Sequence, residues 1–246
     1  MKMSGTLKVA CAFVALCCAS QLSMAAQEIT KDLSHGAQFK FKIGASLPEF
    51  TFEVVPEVNP ADTYGNAQST VKRIDVFRGN SEKPFQQLEG CDLGEMEAPP
   101  NGSDWFLAED FNFDGYKDVF LMTWWGATGN HGGCIWLYNP SRGDFEYSKE
   151  LSQLPWRRLE PATKTIFTFE NGGAVGRVYD ANRYRVEDNK PVLIWHEHQD
   201  LDDAKHQFHC TAEKLKGNKM VSSKDLWSKP TADPLDAPCD PGRLFP

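Results

Sequence analysis

The chain has 246 residues, of which 41% are hydrophobic and 24% charged, and it carries a formal net charge of −8. An acidic chain lacks the basic field that supplies most non-specific affinity for nucleic acid, so nucleic acid is excluded as a partner, while a basic protein partner is not. The length suits one all-β domain with a sizeable core.

At the N-terminus Lys2 and Lys8 precede the apolar run Val9 to Leu16, and Ser23-Met24-Ala25-Ala26 supplies small residues around a cut. This predicts a secretory signal peptide over residues 1–26 and a periplasmic or secreted product. A lipoprotein reading of Cys17 or Cys18 is disfavoured by the bulky residues before them, Leu16 and Cys17. The apolar run is too short for a comfortable membrane span and nothing else approaches that length, so the protein is not expected to be membrane-embedded. Loss of Lys2 and Lys8 would take the net charge from −8 to about −10. Of seven cysteines, Cys91, Cys134, Cys210 and Cys239 remain after the signal. An even number in an exported chain predicts two disulfides, with three pairings open.

Strand periodicity begins at Phe39-Lys40-Phe41-Lys42-Ile43 and Phe50-Thr51-Phe52-Glu53-Val54, with a turn between them, and resumes at Val71 to Phe77. A turn-rich stretch from Ser81 to Ser103 holds Cys91. Trp105 to Ala108 is a strand that enters Asp110-Phe111-Asn112-Phe113-Asp114-Gly115-Tyr116-Lys117-Asp118, and Val119 to Trp125 is the strand that leaves it.

That D-x-N-x-D-G-x-x-D loop is the chemically richest stretch. Calcium takes six to eight oxygen ligands. The side chains of Asp110, Asn112, Asp114 and Asp118, with the backbone carbonyl of Tyr116, offer them from one tight turn. An EF-hand would need Glu at the twelfth position, where Leu121 stands, and no long amphipathic helix follows. The competing account is a turn that uses Asn, Asp and Gly for their backbone tolerance. Four oxygen-bearing positions exceed what a turn requires, so Ca2+ is the expected cofactor.

Beyond the loop come a glycine-rich segment, Gly126 to Gly133, and further strands at Ile135 to Tyr138 and Thr165 to Phe169. A turn is expected at Glu170-Asn171-Gly172-Gly173, followed by strands at Val175 to Tyr179, Tyr184 to Val186, Pro191 to Trp195, Gln207 to Ala212 and Met220-Val221. The domain is expected to span 27–228, with an extended proline-rich tail over 229–246. Short strands with turns about every ten residues predict an all-β fold, propeller-like or a sandwich of antiparallel strands.

The set formed by Phe111 to Val119, the glycine-rich loop, Ile135 to Tyr138, Asn171-Gly172-Gly173 and Tyr184-Arg185-Val186 resembles a family of exported bacterial proteins. These carry a single integrin-like calcium loop in a propeller-like β-fold. Members include periplasmic lysozyme inhibitors and immunity proteins that neutralise peptidoglycan hydrolases. The likeness covers roughly Trp105 to Asp200. It implies a non-enzymatic protein that blocks a lysozyme-like peptidoglycan hydrolase by inserting a loop into its active site. The loops Gly126–Gly133 and Asn171–Arg177 are the expected partner surface, with Thr128, Asn130, His131 and Arg177 as contact residues. His131 and Arg177 come first, as long polar side chains on glycine-flanked loops. The alternative is a calcium-dependent binding or adhesion module that recognises a glycan or a surface protein.

A third class, a hydrolase, would use His196-Glu197-His198 and His206-x-x-His209. On a strand His196 and His198 share a face and could ligate zinc. The spacing is not H-E-x-x-H, however, and exposed strand histidines beside solvating acids are the plainer account. The acids Glu197, Asp200, Asp202 and Asp203 are expected in a solvated loop. No G-x-S-x-G elbow exists. Most of the tryptophans, including Trp124, Trp125, Trp136 and Trp195, are expected in the core.

Overall fold

A computed structural model describes residues 36–58, 69–93, 105–155, 157–230, 233 and 236–244. The expected signal peptide and the end of the turn-rich stretch, 94–103, lie outside the described residues. The described residues form three antiparallel sheets in which each strand pairs with its neighbour in sequence. The first sheet holds β1 (Ala37–Lys42), β2 (Glu49–Val58), β3 (Ser69–Arg78) and the two-residue β4 (Gln86–Gln87). The second holds β5 (Phe106–Glu109), β6 (Asp118–Trp125), β7 (His131–Asn139) and β8 (Asp144–Tyr147). After a single helical turn, α1 (Lys149–Ser152), the third sheet runs through β9 (Arg157–Glu160), β10 (Thr165–Gly173), β11 (Val178–Glu187), β12 (Lys190–Asp202), β13 (Gln207–Lys216) and β14 (Lys219–Trp227).

The sheets stack as layers because alternation gives the outer ones one apolar face and the middle one two. In β1 the inward residues Ala37, Phe39 and Phe41 alternate with exposed residues. They join Phe50, Phe52, Val54, Ile74 and Val76 against Phe106, Leu121, Trp136, Tyr138 and Phe145 of the second sheet. Each Phe removed from water stabilises this layer by about 1.5–3 kcal/mol. The other face of the second sheet, with Phe120, Ile135 and Leu137, packs on Leu151 and Leu154 near α1 and on Ile166, Leu159, Tyr184 and Val186 of the third. Strand β7 is therefore buried on both faces over seven consecutive residues, which is why Cys134-Ile135-Trp136-Leu137-Tyr138 reads as an unbroken apolar run. The all-β, sandwich-like expectation holds.

Both disulfides form. Cys91 bonds Cys134 and ties the first sheet to the second. Cys210 bonds Cys239 and holds the C-terminal segment on the outer face of the third sheet. Two disulfides are consistent with an oxidising, extracytoplasmic compartment. Gln199 completes the attachment: its Nε2 donates to the Cys239 carbonyl at 3.0 Å and its Oε1 accepts the Cys239 N–H at 2.9 Å. The tail is not uniformly extended, since Pro241–Leu244 forms a 3-10 turn. Among the described residues no helix is long and apolar enough to cross a membrane.

Several local expectations are corrected. Asn171-Gly172-Gly173 belongs to β10, and the turn falls at Ala174–Gly176. The acids Glu197, Asp200 and Asp202 lie on β12 and not in a loop. The glycine-rich loop shortens, because Gly132 and Gly133 are inside β7.

Candidate functional site

The loop from Asp110 to Asp118 is knotted by its own side chains. Asp110 accepts the Asp114 N–H at 3.0 Å and the Gly115 N–H at 2.9 Å on its two oxygens. Asn112 Oδ1 accepts the Asp114 N–H at 3.2 Å, and Asp114 Oδ1 accepts the Tyr116 N–H at 2.8 Å. Phe113 (φ 61°) and Gly115 (φ 94°) make the reversals. Only Gly adopts the latter angle without strain.

Asp118 closes the loop. It is fully buried, with Oδ2 accepting the Phe111 N–H at 2.8 Å and Oδ1 the Tyr138 N–H at 2.9 Å. Burial pushes its carboxyl up to about 8, against the pull of those two donors and with a further push from Asp114 and Asp110. Burial also raises the Asp110 carboxyl, helped by Asp114.

The loop sits where the three sheets meet. Lys117 N–H donates to the Ile43 carbonyl at the end of β1 at 2.8 Å, and Asn112 Nδ2 donates to Asn189 Oδ1 in the β11–β12 turn at 2.9 Å. The donor set of Asp110, Asn112, Asp114 and the Tyr116 carbonyl consists of hard oxygens, and the remaining lone pairs of Asp110 and Asp114 stay available beside their backbone bonds. These residues fit a calcium ion. Asp118, the fifth expected ligand, holds one backbone N–H on each oxygen as Asp110 does, and braces the loop whether or not it also meets the ion.

A second feature joins the two loops expected to meet a partner. Asn130 Nδ2 donates to the Asn171 carbonyl at 3.1 Å, and Asn130 Oδ1 accepts the Asn171 N–H at 2.8 Å. Asn171 Nδ2 reaches the Thr128 carbonyl at 3.4 Å. One side chain thus acts as an extra rung of β-ladder between sheets, and the loops form one surface. Trp124 and Trp125, expected in the core, are 48% and 57% exposed at its edge, and Val175 at its tip is 92% exposed. The Trp124 ring lies over Gly132, where a Cβ would come within 2.5 Å of its Nε1. Ala174 and Val175 both adopt positive φ (47° and 56°), an uncommon conformation for a β-branched residue.

The four expected contact residues divide. Thr128 is exposed and Asn130 is the clamp. His131 turns back, with Nδ1 3.1 Å from the Gly129 carbonyl, and lines a hollow of about 250 Å³ together with Arg157 and the apolar Leu107, Phe111, Phe120 and Met122. Arg177 is held by Asp240 at 2.9 Å and does not project. The guanidinium of Arg157 lies 4.5 Å from the Phe120 ring centre. Its Nη1 is buried with no hydrogen-bond partner, and burial pulls its pKa down to about 10.

The histidines also separate. His196 and His198 converge on Asp180, whereas His209 bonds Asp225 at 2.8 Å and stacks on Trp227. His206 is exposed in the β12–β13 turn. Glu197, read as solvating, is buried: it accepts the Tyr179 hydroxyl at 2.7 Å and pairs with Lys224. Burial and that bond raise the Tyr179 hydroxyl's pKa.

No described protein family matches the chain. No curated protein matches it either. Among solved structures it is similar to a protein described as a Xanthomonas type IV secretion system related protein. The TM-score is 0.54 at 16% identity, over 78% of this chain and 96% of that one. At that identity the likeness is one of fold.

Proposed function

We propose that this is an extracytoplasmic, calcium-bound inhibitor or immunity protein that blocks a lysozyme-like peptidoglycan hydrolase with the joined loops Gly126–Asn130 and Asn171–Gly176. The observation that carries this reading is the reciprocal Asn130–Asn171 pair, which fixes two loops from different sheets as one surface edged by Trp124, Trp125 and Val175. Exposed aromatic side chains on a rigid support are what a protein interface uses as anchors. Calcium at Asp110, Asn112, Asp114 and the Tyr116 carbonyl has a structural role, bracing the junction of the sheets, and performs no chemistry. The two disulfides suit an extracytoplasmic setting, and the acidic chain would speed its approach to a basic hydrolase.

The exposed Trp124–Trp125 pair also favours a second reading, a glycan-binding module in which indoles stack on sugar rings. Capture from cell-envelope extract, with calcium and with chelator, separates the two. Retention of a peptidoglycan hydrolase that is inactive in the complex supports inhibition, and Trp125→Ala with Val175→Ala should abolish it. Binding to purified peptidoglycan with no hydrolase retained would sink the inhibitor in favour of the module.

A further inference from the structure

The antiparallel register of β11 and β12 sets Asp180 opposite His198 and Asn182 opposite His196. Strand alternation places all four on one face of the third sheet, the face that also carries Ile166 and Tyr184. His196 Nε2 lies 2.8 Å and His198 Nδ1 3.4 Å from the same atom, Asp180 Oδ2. The three ligand atoms all fall within 4.8 Å of one another. Asn182 Nδ2 donates to the other oxygen, Oδ1, at 2.6 Å and fixes the carboxylate with Oδ2 toward the imidazoles. The side chains are 34%, 28% and 42% exposed for Asp180, His196 and His198, so the site opens to solvent.

An ordinary His–Asp hydrogen bond accounts for one imidazole. It does not require a second imidazole turned onto the same oxygen, nor an amide holding that carboxylate from behind. A tetrahedral ion with ligands at 2.0–2.1 Å sets them about 3.3 Å apart, and the spacings of 2.8 and 3.4 Å bracket that value. Two imidazoles and one carboxylate form the three-ligand set of an open zinc site, and a carboxylate held from outside the shell is the usual support. Calcium is not the ion for this place, because imidazole is not its ligand. Glu170, paired with Asp180 from β10, adds negative charge alongside.

We infer that Asp180, His196 and His198 bind a divalent cation of the zinc class, cross-linking β11 to β12 and leaving coordination positions open to water or to a side chain of another molecule. The site differs in place and in ligand chemistry from the acidic loop, and it stands whether or not the chain inhibits a hydrolase.

The test is titration of the exported, oxidised chain with ZnCl2 by calorimetry, after chelation and return to calcium-containing buffer. Elemental analysis supplies the stoichiometry. One equivalent of zinc should bind, about a hundredfold more weakly in His196→Ala/His198→Ala and about tenfold more weakly in Asp180→Asn. His209→Ala should bind as the natural chain does. Cobalt(II) in place of zinc should give visible d–d absorption that the double variant lacks. Asp180→Asn keeps the shape and one oxygen to accept from Asn182, so it remains informative if the double variant misfolds. No saturable zinc binding up to about 100 μM, or equal binding by the double variant, would overturn the assignment.

Discussion

Asn130 and Asn171 exchange two hydrogen bonds, side chain to backbone, across the gap between the second and third sheets. Asn130→Ala should therefore uncouple the two loops and expose the Asn171 N–H to solvent, at a cost of about 1–3 kcal/mol in local stability. Hydrogen exchange reads this directly. The Asn171 amide should exchange faster while Val119, in the core of β6, stays protected. Unchanged protection at Asn171 would mean that the loops hold together without the clamp.

Asp118 satisfies two buried N–H groups, those of Phe111 and Tyr138. Asp118→Ala leaves both orphaned, which should cost about 2–5 kcal/mol by denaturant unfolding. The loss should appear in full with chelator present, because the bracing is internal to the chain. A loss seen only in calcium would instead make Asp118 a ligand.

The Glu160 carboxyl is held below its ordinary 4.5: burial opposes this, but hydrogen bonds from Arg183, Thr165 and Arg158 outweigh it. A depressed folded-state pKa contributes stability that is present above the unfolded value and is lost as pH falls through the folded one. The natural chain should be more stable than Glu160→Gln at pH 6, and the two should converge below pH 4.5. No advantage at pH 6, or one that persists unchanged at lower pH, would show that the charge of Glu160 is not what stabilises the fold.

Cys210 and Cys239 close a loop with a sequence separation of 29. Replacing both with Ser should lower stability by about 3–4 kcal/mol if the bond works by restricting the unfolded chain. It should also open the C-terminal segment to protease, since only the polar contacts of Gln199, Arg177 and Arg158 and the packing of Leu244 would then hold it. Resistance equal to that of the natural chain would place the attachment in those contacts.

Where inward residues are apolar, the strands were legible: Phe39, Phe41, Phe50, Phe52 and Val54 mark β1 and β2 by alternation alone. The far half of β12 was not, because its buried positions are Glu197 and Gln199, polar groups matched to Tyr179, Lys224 and the Cys239 backbone. Strand β9 was hidden for a related reason. Its Arg-Arg-Leu-Glu sequence lies half-buried, with Arg158 and Arg183 meeting Glu160. The turn expected at Asn171 moved to Ala174–Gly176 because Asn130 treats the Asn171 backbone as a strand. In the acidic loop, local spacing was enough to gather Asp110, Asn112 and Asp114. Asp180 could not be joined to His196 and His198 without the register of β11 on β12, which one sequence does not disclose.

Each sheet is one uninterrupted stretch of chain, with strands laid down in the order in which they occur. If the polypeptide crosses a membrane N-terminus first, β1 to β4 can pair before β9 has emerged. Cys91 must then wait for only one partner, Cys134, before either later cysteine arrives. Of the three ways to pair four thiols, the one observed is also the one that order of arrival favours. A circularly permuted chain that begins at β5 would present Cys134 and Cys210 before the other two cysteines. A fall in its yield of native disulfides on export, with no fall on oxidative refolding of the full-length chain, would measure how far emergence, and not final stability, chooses the bonds.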